Sequence, residues 1–99
     1  MRGKEAKRTV IVSASVPVLA AHVKMRRDGA RNCWLLLAPE RVFTPDSVAV
    51  AVLGMCDGDH SVEAIASAFE QTYNAPKDRI LSDILPMLQD LADKGVVTA

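Results

Sequence analysis

The sequence predicts an α+β domain that is winged-helix-like, with an N-terminal three-stranded antiparallel sheet followed by three helices. Three observations support this prediction. Apolar and polar residues alternate from residue 18 to residue 26, and a turn pair and an apolar run over 33–37 come next. From residue 44 onwards, apolar residues recur at helical spacing in three stretches separated by Gly, Asn or Pro. Strands followed by helices are typical of α+β domains.

The N-terminal residues differ from the rest of the chain in charge. Residues 1–14 show no sustained periodicity, and we expect a flexible basic segment or a linker remnant there, with the domain spanning 15–99. Residues 1–31 carry eight Lys and Arg against two carboxylates, a balance of +6, whereas 32–99 carry four against ten, a balance of −6. The first part would attract an acidic partner, and the second would repel nucleic acid.

The three strands are predicted in order. The first begins at Val18, and Asp28-Gly29 predicts the tight turn that ends it, because glycine accepts a positive φ. The return strand, 33–37, is apolar on both faces and is expected in the middle of the sheet. The short third strand, 41–43, follows Pro39, and a strand after a proline tends to lie at a sheet edge. Such an edge leaves N–H and C=O groups that can pair with another chain.

The three helices are predicted from their end signals. Thr44-Pro45 is expected to start the first, since a hydroxyl cap precedes a proline at the first helical position, and Asp57-Gly58 is expected to end it. Ser61 is the expected cap of the second. Pro76 begins the third, which runs to Lys94 and stops at a glycine.

The third helix has two apolar stripes, where a surface helix of a small domain needs one. Either neighbouring elements of the domain cover both stripes, or the start of the second, Leu81 and Leu85, lines a groove beside the third strand. Pro86 lies inside this helix, where it removes a hydrogen bond and bends the axis. The first stripe consists of Ile80, Ile84, Met87 and Leu91, and the second of Leu81, Leu85, Leu88 and Ala92.

Three segments, WLLLAPERV at 34–42, VLGMCDG at 52–58 and LQDLADKG at 88–95, resemble the PqqD family. The resemblance covers roughly residues 17–97. PqqD proteins are peptide chaperones of pyrroloquinoline quinone (PQQ) biosynthesis, and belong to the domains that recognise ribosomally made, modified peptides (RiPP recognition elements).

What this resemblance implies is a winged-helix-like fold that binds the precursor peptide PqqA and presents it to the radical S-adenosylmethionine enzyme PqqE. In domains of this class the peptide adds as a strand to the third strand and lies against the third helix. By position, the resemblance implies contacts with Glu40, Arg41, Val42, Phe43, Ile80, Leu81, Ile84, Leu85 and Leu88.

No pattern of catalytic, metal or cofactor chemistry was found, so we predict that the protein is not an enzyme and has no cofactor. His22, His60 and the two cysteines lack metal-ligand spacing, and no nucleophile turn or glycine-rich phosphate loop occurs. Cys33 and Cys56 are expected to be small buried apolar side chains rather than a disulfide.

The alternative function is a winged-helix DNA-binding domain. Its third helix would meet phosphates, but here that helix carries four Asp against Lys77, Arg79 and Lys94, so no nucleic-acid partner is expected.

No apolar run approaches the roughly 20 residues that span a bilayer, and the N-terminus lacks the features of a signal peptide, so we expect no membrane partner and a cytoplasmic location. We expect the protein to be mostly a monomer. A dimer is possible, because an open sheet edge and a surplus apolar stripe could pair with a second copy.

Overall fold

The structure, a computed structural model, describes residues 9–99. An antiparallel three-stranded sheet is followed by three helices, which confirms the predicted α+β class. The described elements are β1 (Val18–Leu19), β2 (Lys24–Asp28), β3 (Cys33–Ala38), β4 (Arg41–Phe43), α1 (Ser47–Gly54), α2 (Val62–Tyr73), α3 (Lys77–Asp93) and β5 (Val97–Thr98).

The larger sheet has the strand order β2-β3-β4, so the apolar strand β3 lies in the middle, as its two apolar faces predicted. Leu36 of β3 pairs with Met25 on one side and Phe43 on the other, and these three residues share the face that packs against the core. Within residues 9–99, β4 pairs with β3 alone. The other edge of β4 is therefore open, as expected for a strand that follows Pro39-Glu40.

The single first strand predicted from Val18 is wrong, because two short strands occupy that region. β1 pairs with β5 at the C-terminal end of the chain, and only β2 belongs to the larger sheet. Between them the chain turns, with the Val23 N–H donating to the Ala20 carbonyl at 3.0 Å and the Ala20 N–H to the Val96 carbonyl at 2.9 Å. The apolar alternation continues through this turn, so the pattern alone did not reveal the break.

The start and end of α1 also differ from the prediction. Asp46, not Thr44, is the N-cap, and its carboxylate accepts from the Ala49 N–H at 2.8 Å. The helix ends at Gly54, and Asp57 then bridges to Val18. An aspartate caps at least as well as a threonine, and here the aspartate two residues after Thr44 caps the helix.

The ends of α2 and α3 are as predicted. Ser61 caps α2 by accepting from the Ala64 N–H at 3.0 Å. Pro76 precedes the first residue of α3, Lys94 caps its end, and Gly95 follows with a φ of 78°. This left-handed φ favours glycine and turns the chain into β5.

Two residues of the predicted flexible segment, Thr9 and Ile11, are held against the domain. Ile11 is buried in the core, and its N–H donates to Oε1 of Gln89 at 2.8 Å. The Gln89 Nε2 donates to the Thr9 carbonyl, also at 2.8 Å. One apolar side chain and a bridging amide therefore hold this segment against α3. Residues 1–8 of the predicted segment lie outside the described residues.

The core lies between the inner face of the larger sheet and the three helices. α3 contributes its Ile80, Ile84 and Leu88 side chains, all of them buried. Pro86 is exposed on the far side of this helix, which continues past it without a break in the assigned element. The largest fully buried side chains are Leu36, Leu53, Ile65, Leu88, Val52, Val62, Val96, Val97 and Pro17.

Candidate functional site

The open edge of β4 is the first part of the candidate site. Pro39-Glu40 forms a two-residue turn between Ala38 and Arg41, which face each other in the register. A turn of this length joins its flanking residues by hydrogen bonds, and paired and unpaired residues then alternate along the strand. The N–H and C=O of Val42 are therefore expected to point away from β3. The Val42 side chain is 62% exposed.

Beside β4 lies a pocket of about 280 Å³ between the sheet, the start of α1 and the C-terminal half of α3. Leu36 and Leu53, both buried, form its floor. Most of its wall is apolar, with the carboxylates of Asp46 and Asp90 as the charged groups. The remaining lining residues are Phe43, Thr44, Pro45, Ala49, Met87 and Leu91.

Two cations lie over the Phe43 ring at the end of this pocket. The Arg41 Cζ is 5.2 Å from the ring centroid, and the Lys94 Nζ is 5.9 Å from it. Lys94 also donates to Oδ2 of Asp90 at 2.8 Å, on the same wall. Cation–π contacts at exposed positions contribute modestly, about 0.5–1 kcal/mol each. Their main effect here is to place positive charge where β4 and α3 meet.

The structure brings only part of the predicted site together. Glu40 and residues 41–43 form the turn and edge strand as expected, with Glu40 at a φ of 63°. Leu88 is fully buried in the core. Ile80 and Ile84 are nearly so, and they line a second pocket farther along α3.

Leu81 and Leu85 do not line the pocket beside β4. Both are half-buried against the core. Gln89, one turn after Leu85 on the same side of the helix, holds the segment at Thr9 and Ile11. On the side of Leu85 and Gln89 the helix therefore meets the N-terminal segment, while Met87 and Leu91 of the first stripe line the pocket beside β4.

Sequence reasoning missed the helix residues that do face β4, namely Met87, Asp90, Leu91 and Lys94. Met87 and Leu91 belong to the first stripe, of which only Ile80 and Ile84 were among the predicted contacts. A signal for them existed, because residues 87, 91 and 94 recur at helical spacing and Lys94 is the one cation near that end.

The described residues contain no group that points to metal or nucleophilic chemistry. No cluster of three or more His, Cys, Asp or Glu side chains within 9–99 is arranged to hold a metal ion. The Cys56 thiol donates to the Val52 carbonyl at 3.3 Å, and burial, with a smaller effect of the Asp57 charge, raises the pKa of this thiol to about 12. Cys56 is therefore protonated and unreactive at neutral pH.

The pKa of the Asp57 carboxyl is lowered, first by the Asp59 N–H, which donates to it at 2.9 Å, and next by the His60 ring at 3.0 Å. This exposed turn lies between α1 and α2 and stabilises their connection rather than a site.

Among the helices of the described range, none is long and apolar enough to cross a membrane.

Comparison with known proteins gives a family and a fold. The sequence profile of the family described as coenzyme PQQ synthesis protein D (PqqD) matches residues 33–97. A Bradyrhizobium diazoefficiens protein named PqqA binding protein is 48% identical over 88 residues, which cover 89% of this chain and 85% of that protein. A Rhodopseudomonas palustris protein of the same name is 49% identical over 94 residues, covering 94% of this chain and 92% of that protein.

A solved structure is similar over almost the whole fold. It is the solution NMR structure of the PqqD truncation of Methylobacterium extorquens PqqCD, described as a functional, stand-alone RiPP recognition element. It shares 46% of its sequence with this chain and superposes with a TM-score of 0.80, covering 92% of this chain and 97% of the other. Both the arrangement of strands and helices and the sequence therefore point to one family.

Proposed function

Since the chain belongs to the PqqD family of PQQ synthesis proteins, whose members are recognition elements rather than enzymes, we propose that it binds the precursor peptide PqqA as an added strand on β4. The observation that carries this proposal is the open edge of β4 beside an apolar pocket. Main-chain groups of an edge strand bind an extended peptide largely independently of its sequence. Side chains that alternate into the adjoining pocket then select among peptides.

The peptide's main chain would pair with residues 40–43, the strand residues that the resemblance implied. On the helix side we propose a wall made of Met87 and Leu91, which face the pocket, continued by Ile80 and Ile84 farther along. Leu81, Leu85 and Leu88 would support that wall from behind, because they pack on or within the core.

Charge would assist encounter rather than supply the affinity. PqqA-like peptides carry carboxylates, and the Arg41 and Lys94 cations over Phe43 lie where such a peptide would enter. Arg79 lies farther along α3, 3.9 Å from Asp83, and Lys77 is paired with Glu63 at 3.1 Å. Exposed charges of this kind are screened by salt, so this contribution should fade at high ionic strength.

The rest of the proposed role concerns partners. A bound PqqA would be presented to the radical S-adenosylmethionine enzyme PqqE, with this chain acting in the cytoplasm as a non-catalytic chaperone. We propose that it does so mostly as a monomer, since β4 is open for a peptide only when no second copy occupies it.

The experiment that tests strand addition replaces Val42 with proline. If the Val42 N–H points outward, Val42→Pro leaves the β3–β4 ladder intact and removes one bond to the peptide, and proline is tolerated on such edge positions. Titration calorimetry with synthetic PqqA should then show binding weaker by about tenfold or more, since an unpaired partner group is left behind.

Val42→Thr is the matched control, because it keeps the N–H and a β-branched side chain of similar size. Because the Val42 side chain is 62% exposed, this variant should bind PqqA within about twofold of the wild type. Equal affinities of the proline and threonine variants, both folded by their amide spectra, would place the peptide elsewhere.

A further inference from the structure

A second pocket of about 320 Å³ lies at the junction of the three helices, at the lower end of the range of about 300–1,000 Å³ for ligand sites. Its surface is mostly apolar. Exposed Val48 and Tyr73 stand at its rim, where large apolar side chains are unusual for a solvated surface. The other apolar lining residues are Phe69, Ala75, Ile80 and Ile84.

The walls of this pocket are rigidly placed. The Phe69 and Tyr73 rings meet edge to face, with their centroids 5.3 Å apart and their planes at 73°. Asn74 follows in the left-handed conformation, with φ 51° and ψ 47°, and this turns the chain so that Ala75 faces the pocket. Edge-to-face packing and a defined helix end both favour a preformed site.

This pocket continues the one beside β4. On α3, residues 79, 80, 83 and 84 line the second pocket, and residues 87, 90 and 91 line the first, all on one side of the helix. The opposite wall is formed by the chain from β4 through Pro45 and Asp46 to Val48. Along this wall the residue numbers rise from the first pocket to the second, whereas along α3 they rise from the second pocket to the first. The two pockets therefore lie one after the other along the same side of α3, in the arrangement of one groove from its C-terminal to its N-terminal half.

We propose that the second pocket takes one apolar side chain, aromatic or branched aliphatic, of the same peptide that pairs with β4. This inference rests on the proposed function and adds a subsite to it. Seven residues of helix separate the centres of the two pockets, which is about 10 Å. An extended chain covers that distance in about three residues. The anchoring side chain should thus lie about three or four residues outside the β-paired part of PqqA.

The polar rim adds a further preference. Arg79 and Asp83 border the pocket, with their nearest charged atoms 3.9 Å apart and both side chains largely exposed. Such a pair is weak and rearranges readily. The Arg79 guanidinium is therefore able to donate hydrogen bonds to a peptide carboxylate beside the apolar anchor. An apolar residue next to an acidic one is the pattern that this end of the groove fits.

The test compares Val48→Ser with Val16→Ser in the full chain. Val48 and Val16 have similar exposures, 44% and 41%, but Val16 lies outside both pockets. Titration with synthetic PqqA should give binding about fivefold weaker for Val48→Ser, because two methyl groups that the bound peptide would cover are lost, and unchanged binding for Val16→Ser. Tyr73→Ser provides a second variant at the rim should Val48→Ser fold poorly.

An alanine scan of the apolar residues of PqqA identifies the anchor. One alanine peptide should bind the wild type about fivefold or more weakly but lose little further affinity for Val48→Ser, which is the non-additivity expected of two groups in contact. If every alanine peptide loses the same factor against both proteins, the second pocket is not used, while strand addition stands as long as Val42→Pro still weakens binding. If the wild type binds no PqqA, the proposed function and this subsite fall together.

Discussion

At the scale of single residues, Glu40 sets the course of the chain into β4. It occupies the second position of the turn after Pro39, with a φ of 63°. This is the left-handed region, which costs most non-glycine residues about 1–2 kcal/mol. The turn thus stores strain directly beside the edge strand that we propose as the peptide's partner.

Glu40→Gly should relieve that strain. The gain is offset in part by the extra freedom of glycine in the unfolded chain, so the free energy of unfolding should rise by about 0.5–1 kcal/mol. Glu40→Ala is the control, because it removes the same carboxylate and retains the strain. Urea denaturation in which both variants shift equally would show that the side chain, and not the backbone conformation, determines the effect.

Residue-level signals in the sequence were informative where one candidate stood alone. Ser61 and Gly95 were the clear cap residues for their helix ends, and both were predicted correctly. Thr44 and Asp46 lie two residues apart and are both good caps, so local chemistry could not decide between them.

At the scale of elements, α3 has two different sides. Met87 and Leu91 face the pocket beside β4. On another side Leu85 lies one turn before Gln89, which binds the segment at Ile11. The side of α3 with Leu85 and Gln89 therefore lies against the N-terminal segment, and the side with Met87 and Leu91 lies against the proposed groove.

A matched pair of substitutions separates these two sides. Met87→Ser should weaken PqqA binding by about fivefold to tenfold, because it removes most of a large side chain from the groove wall. Leu85→Ser should lower the free energy of unfolding with little change in peptide affinity, since this half-buried side chain packs against the core. Calorimetric titration and urea denaturation of both variants check this, and a loss of affinity confined to Leu85→Ser would restore the second stripe as the binding wall.

The sequence shows that α3 has two apolar stripes, but it does not show which neighbouring element each stripe faces. Both stripes contain leucine or isoleucine at helical spacing, so hydrophobicity could not tell the one that faces β4 from the one that faces residues 9–11. That second contact depends on Ile11, the buried middle residue of the apolar run Val10-Ile11-Val12, in a stretch without sustained periodicity. An expectation of flexibility there left the second stripe without a cover, and this is why its first residues were assigned to the groove.

At the scale of the whole molecule, the two ends of the described chain are tied down, while the outer edge of β4 has no partner strand within residues 9–99. β1 pairs with β5, and the backbone of Thr9 and Ile11 is hydrogen-bonded to Gln89 of α3. The fold class and the order of the larger sheet followed from the sequence, because strands precede helices and the middle strand is apolar on both faces. The pairing of β1 with β5 did not follow, since two-residue strands at opposite ends of a sequence leave no periodic signal.

Amide hydrogen exchange of the full chain, followed by NMR with and without synthetic PqqA, tests strand addition most directly. Exchange slows when an N–H forms a stable hydrogen bond, so the measurement reports the pairing of each strand residue separately. In the free protein the Val42 amide should exchange fast, while its neighbours in the β3–β4 ladder are protected. At saturating PqqA the Val42 amide should become protected by about tenfold or more. A Val42 amide that exchanges at the same rate when the protein is saturated with PqqA would contradict the account.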